Sequence, residues 1–201
     1  EYYFFFFFDI VKHICNTPKS YIFKIIDLKN GIIDEKIKNM KGCECFARLD
    51  SLSSKPEKSY KSSKQILNCM LNSDRTRDHM KNNDENLIIR EYFHNLGDEF
   101  RCYIHDKELR GISCINILTE DQINTIKETV KQITHYTDYN SYTADFTFYE
   151  GKILLIEINS PVWLFATSGN FDLETVFDKE VLLGKYNPEI IEYPIIKISC
   201  I

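Results

Sequence analysis

Short apolar or alternating runs, each bounded by Gly, Asn or charged residues, recur along the chain. They fall at Tyr21–Ile26, Cys43–Leu49, Leu87–Phe93, Phe100–His105, Leu109–Ile115, Ala144–Tyr149 and Ile153–Ile158. Their brevity and their Ile, Phe, Tyr and Val content predict strands. A different period predicts helices at Ile33–Met40, Ser62–Asn72 and Glu120–Tyr136. The last is the clearest, with Ile123, Ile126, Val130 and Ile133 on one stripe. Thr119 and Gln122 are placed to form a capping box at its start. Strands interleaved with a few helices imply an α+β or mixed α/β domain, and no internal repeat is present.

The chain has 201 residues, enough for one ordinary domain or one and a half small ones. Its 43% hydrophobic and 27% charged content is globular and excludes wholesale disorder. The formal net charge of −5 argues against a protein that grips nucleic acid by its phosphates, so no direct nucleic-acid partner is expected. The longest apolar run, Tyr2–Phe8, is far below the ~20 residues of a membrane helix. No basic leader precedes it, and no membrane partner is expected. A chain that opens on Glu1 reads as a processed product or a fragment with an upstream segment missing. The seven cysteines, at 15, 43, 45, 69, 102, 114 and 200, are scattered and contain no Cys-x-x-Cys. Reduced structural thiols in a cytoplasmic protein are the expectation, without a structural zinc site. Cys43 and Cys45 alternate so as to share one face of a strand.

Residues 51–64 form the one biased segment, with six Ser, four Lys and a Pro. It reads either as a solvated surface loop or as a flap whose hydroxyls, amides and ammonium groups close over phosphates. Arg48 ends the strand before it. Arg90, in LIIREYF, and Arg101, in EFRCYI, sit in otherwise apolar strands. A guanidinium there meets either a carboxylate, with Glu91, Glu99 and Glu157 as candidates, or a phosphate.

The most informative stretch is residues 143–159, a predicted hairpin turning at Glu150-Gly151. Glu157 and Asn159 are two apart on the second strand and share a face. An acid among Ile and Leu costs several kcal/mol unless its charge is paired or bound to a metal. Whether Asp145 joins them depends on the turn. A two-residue loop would pair Asp145 with Ile156 and face it the other way. A three-residue loop, Tyr149-Glu150-Gly151, would bring it to the Glu157/Asn159 face. Three oxygen donors together would suit Mg²⁺, while separately they are an acidic strand end at the surface. Neither Gly-x-x-x-x-Gly-Lys-Ser/Thr nor Gly-x-Gly-x-x-Gly occurs, which removes P-loop, Rossmann and protein-kinase readings.

Glu157-Ile-Asn159, with Asp145 on the preceding strand, resembles the metal-binding signature of the ATP-grasp superfamily. Within it, the chain looks most like the cell division cycle protein 123 family and its bacterial and viral relatives. FARLDSLSSKP (46–56), LIIREYF with EFRCYIHDKELRGIS (87–113), ADFTFYEGKILLIEIN (144–159) and SGNFD (168–172) carry the resemblance. The sequence departs from the family where Ser160-Pro161-Val162-Trp163 replaces the usual Pro-Phe-Gly after the Asn. It also carries Arg48 where many members have Lys.

The resemblance implies an α+β, ATP-grasp fold with the nucleotide site between two subdomains. A partial N-terminal segment (1–42) would lead into a first subdomain (43–93) holding the flap 51–64 and a hinge 90–93. A second subdomain (94–201) would hold the metal-binding hairpin 144–159. It implies ATP and Mg²⁺ as cofactors. Arg48 and Lys55 would contact phosphates, and Arg90, Glu91, Tyr92 and Phe93 would form the hinge that reads adenine. Arg101 would hold the terminal phosphates and serve as the catalytic residue, and Asp145, Glu157 and Asn159 would bind metal. The function so implied is ATP-dependent chaperoning of translation initiation factor 2 assembly, with a factor subunit as partner. The alternative is an enzyme, a carboxylate–amine ligase working through an acyl phosphate. His105, Lys107 and Arg110 are available for its second pocket, but they read as hairpin-turn surface residues. The aromatic segments Tyr2–Phe8 and Trp163–Phe165 are candidates for core or for a partner-binding patch.

Overall fold

The computed structural model describes residues 15–49, 59–159, 171, 176–185 and 194–198. The chain divides into two compact units, Pro18–His94 and Glu1–Thr17 with Asn95–Ile201.

In the first unit the elements run β1 (Ser20–Lys24), α1 (Ile25–Lys29), α2 (Asp34–Lys38), β2 (Cys45–Leu49), α3 (Ser63–Asn72) and β3 (Asn86–Glu91). The strands form an antiparallel sheet of order β1-β3-β2. One face carries Ala47, Leu49, Leu87 and Ile89, and it packs on Ile25, Leu28, Ile33, Ile37, Ile66 and Met70 from the helices. Each Leu, Ile and Met side chain among them, once fully buried, contributes about 1.5–3 kcal/mol.

The first run continues as a strand only to Lys24. Ile25 and Ile26 are helical, because the Asp27 carboxylate accepts from the Lys24 amide (2.8 Å) and Ile25 and Leu28 reach the core at helical spacing. The second strand starts at Cys45. Cys43 lies in a turn with φ 53° and is exposed, so the two thiols do not share a face.

The second unit runs β4 (Phe100–His105), β5 (Glu108–Cys114), α4 (Glu120–Tyr136), β6 (Tyr142–Tyr149), β7 (Lys152–Asn159), α5 (Val176–Leu182) and β8 (Ile195–Ile198). Its five strands are ordered β7-β6-β4-β5-β8, with β8 parallel to β5 and the other pairs antiparallel. α4 forms over the expected residues. Thr119 Oγ1 accepts from the Gln122 amide (3.2 Å), and Gln122 Oε1 accepts from the Thr119 amide (2.9 Å). Ile126, Val130 and Ile133 pack on Cys102, Ile112, Ala144, Phe146 and Leu155 from one sheet face. On the other face Tyr103, Phe171 and Leu182 form a small cluster. A Cβ at Gly111 would lie 2.6 Å from the Phe171 ring, so a glycine is what lets that ring settle on β5.

Candidate functional site

The β6–β7 hairpin turns on two residues, Glu150 (φ 50°) and Gly151 (φ 74°), with Tyr149 opposite Lys152. A regular ladder from that turn would set Asp145 opposite Ile156. The register instead shifts between Asp145 and Phe146, so that Phe146 faces Leu155 and Asp145 faces Glu157. Ile156 is the extra residue of a β-bulge. The bulge resets the alternation of β7. Ile153 and Leu155 before it and Ile158 after it all pack toward the α4 side, while Glu157 and Asn159 turn to the opposite face. The three-residue loop is therefore not used, yet Asp145 still reaches the Glu157/Asn159 face.

Cross-strand register extends that face into a row. Glu157 pairs with Asp145, Asp145 with Arg101, Arg101 with Ser113, and Ser113 with Lys197. Asn159 lies opposite Thr143 one step along. Acids occupy the β7–β6 end, and cations occupy β4 and β8. Arg101 grips Asp145 bidentately, Nε to Oδ1 at 2.6 Å and Nη2 to Oδ2 at 2.7 Å. Asp145 is thus a carboxylate partner of Arg101, and Glu157 adds a favourable charge nearby. The Asp145 side chain is 10% exposed and that of Arg101 35%.

Burial pushes the Asp145 carboxyl up from its ordinary value, the Arg101 guanidinium opposes the rise, and the facing Glu157 adds to it. Asp145 in turn holds Arg101 charged. Lys197 forms a close ion pair with Asp178 of α5 and lies over the Phe171 ring. Neither Ser113 nor Lys197 was anticipated. A lone Lys in IIKI is the same signal that marked Arg90 and Arg101.

The donor set has the chemistry of a hard-cation site: two carboxylates and a carboxamide oxygen on one sheet face. Among the described residues no group of three or more His, Cys, Asp or Glu could hold a metal. Two carboxylates and a carboxamide suit an ion that completes its shell with water and phosphate oxygens, which is the habit of Mg²⁺. Arg101 shields Asp145, so a cation held there would have to compete with that guanidinium for the Asp145 oxygens.

In the first unit, Arg48 and Arg90 share the sheet face turned away from the helices. Arg48 pairs with Ile88 and Arg90 with Phe46, out of step with the core-facing Ala47 and Ile89. Both arginines are buried, at 6% and 4% exposure, and Arg48 Nε donates to the Leu49 carbonyl at 3.1 Å. The Glu91 amide donates to the Lys19 carbonyl at 3.0 Å. That amide is therefore engaged by the Lys19 carbonyl, and half-buried Tyr92 and Phe93 follow the strand. Lys55, Trp163–Phe165, Tyr2–Phe8 and Cys200 lie outside the described residues. The other six cysteines are all free thiols. No helix among the described residues is long and apolar enough to cross a membrane.

No protein-family model matches the sequence, and no curated protein does. Solved structures do match. Cdc123 from Schizosaccharomyces pombe aligns over 96% of this chain and 94% of its own, with a TM-score of 0.65 and 15% identity. A D-alanine–D-alanine ligase from Bacillus anthracis, solved with ATP, aligns over 76% of this chain and 52% of its own (TM-score 0.53, 14% identity). The ATP-grasp ligase PsnB, solved with a minimal precursor, Mg and ADP, aligns over 87% and 56% (TM-score 0.52, 13% identity). The chain has the ATP-grasp fold. Its likeness to Cdc123 runs nearly end to end, whereas it spans about half the length of the two ligases.

Proposed function

We propose that the chain binds ATP together with Mg²⁺ and works as an ATP-dependent assembly factor of the Cdc123 kind, with a subunit of translation initiation factor 2 as its partner. The observation that carries the nucleotide reading is the cross-strand row Glu157–Asp145–Arg101, acids on two strands and a guanidinium on the third. When bound, the metal would neutralise phosphate oxygens. Glu157 and Asn159 would hold it, with Asp145 completing the set as it yields one oxygen from Arg101. Arg101, so released, would turn its fork to the terminal phosphate. Arg48 and Lys55 would serve the remaining phosphates, and the segment from Arg90 to Phe93 would read the base. The end-to-end likeness to Cdc123 supports the fold, and the assembly-factor role and cytoplasmic setting follow from the family resemblance of the sequence.

The ligase reading rests on the same row, since Arg101 beside a metal would also stabilise charge developing on a transferred phosphoryl group. The half-length match to the ligases makes it the second reading. Fold alone does not choose between them. The experiment is ADP release with and without mixtures of carboxylates and amines, run beside ATP-dependent capture of purified initiation factor 2 subunits. Capture without substrate-stimulated turnover supports the assembly factor, and stimulated turnover without capture replaces it with the ligase.

A further inference from the structure

Glu44 immediately precedes β2 and is already extended (φ −133°, ψ 151°), so strand alternation puts its side chain on the Phe46/Arg48 face. Its carboxylate is 13% exposed and meets two basic side chains that come from different segments. Lys61 Nζ lies 3.2 Å from Oε1, and His94 Nε2 lies 3.4 Å from Oε2. Ser59 also donates to it, and Ser59 and Lys61 hold the carboxyl below its ordinary value. The two segments are fixed on either side. Cys45 and Tyr60 exchange backbone hydrogen bonds of 2.9 and 2.8 Å, which seats 59–61 against the start of β2. The His94 ring meets the Tyr92 ring edge-on at 5.0 Å, just beyond β3.

We infer that Glu44 is a positioning residue, a clamp that ties the end of the Ser/Lys segment (59–61) to the segment after β3 (92–94). The inference rests on the nucleotide reading only for its consequence: Tyr92 and Phe93 would be held still where the base binds. A single carboxylate shared by Lys61 and His94 couples two stretches that lie more than thirty residues apart in sequence. Arg48 and Arg101 concern phosphate. Glu44 concerns the base, and so acts alike on every adenine ligand.

The test compares Glu44→Gln, Lys61→Met and His94→Gln with the wild type. Without nucleotide, Glu44→Gln should speed amide exchange at Tyr60 and Lys61 and collapse the ring-current shifts that Tyr92 imposes on His94. Lys61→Met should disturb the His94 resonances, and His94→Gln should speed exchange at Lys61, so the clamp stays testable if Glu44→Gln fails to fold. Adenosine and ATP affinities should then fall together, by about tenfold, in Glu44→Gln. Unchanged exchange and unchanged His94 shifts in all three variants would overturn the clamp whatever ATP does. Transmitted effects in a protein whose wild type binds no adenine ligand would uphold the clamp and sink the nucleotide reading instead.

Discussion

Asp145 faces Glu157 across the β6–β7 ladder because Ile156 is bulged out of register. Two acids so placed repel each other, which is why Glu157 helps push the Asp145 carboxyl up. Like charges directly opposite on a sheet destabilise it, and a bound cation reverses the sign.

Glu157→Gln should therefore raise the stability of the metal-free protein slightly, by about 0.5 kcal/mol. The same change should remove the stabilisation conferred by millimolar Mg²⁺. Thermal melts of both proteins with Mg²⁺ and with chelator check the two effects, which have opposite signs.

Arg101 compensates a carboxylate that is nearly buried. Arg101→Met strands that charge, and because Arg101 is itself 35% exposed the loss should be about 2 kcal/mol, below that of a fully buried pair. Adding Asp145→Asn to Arg101→Met should recover part of the loss. Urea unfolding of the two single variants and the double variant gives the coupling.

The pH dependence has a defined direction. Burial sets the folded pKa of Asp145 above its unfolded value, so the folded state binds that proton more tightly. The associated stability is fully present below about pH 4, the ordinary carboxylate value, and is lost as pH rises through the folded value. The unfolding free energy of the wild type minus that of Asp145→Asn should shrink from acid toward neutral pH without metal. Growth of that difference would mean the Arg101 pair outweighs burial.

Burial also separates the thiols. Cys15 and Cys45 are each pushed up to about 12 and Cys102 well above its ordinary value, while Cys43 is exposed at a turn. Brief alkylation of the folded protein at mildly alkaline pH should label Cys43 well before these three, as read by peptide mass spectrometry.

Periodicity made the core of this molecule legible. The α4 stripe, its capping box and the strands β1 to β7 follow from spacing alone, because those elements bury one face each, whereas the short edge strand β8 was not marked by it. The hinge between period two and period 3.6 at Lys24–Ile25 was not legible, since Ile suits both and the deciding contact is the Asp27 carboxylate. The route of Asp145 to its face, a two-residue turn corrected by a bulge, was not legible for a related reason. In ILLIEIN the adjacent Leu155 and Ile156 break the alternation that β6 keeps, and that break is the mark of the bulge. Lys197, Asp178 and Glu44 escaped because their partners come from distant segments, and no local pattern signals a pairing made by tertiary structure.

The central claim is that the acid–guanidinium row serves ATP and a metal together. Calorimetric titration of ATP, with and without Mg²⁺, on the wild type and on Glu157→Ala with Asn159→Ala tests it most directly. The expected result is micromolar, Mg²⁺-dependent binding that the double variant loses while remaining folded. An absence of heat and of thermal shift in the folded wild type, or equal binding by the double variant, would contradict it.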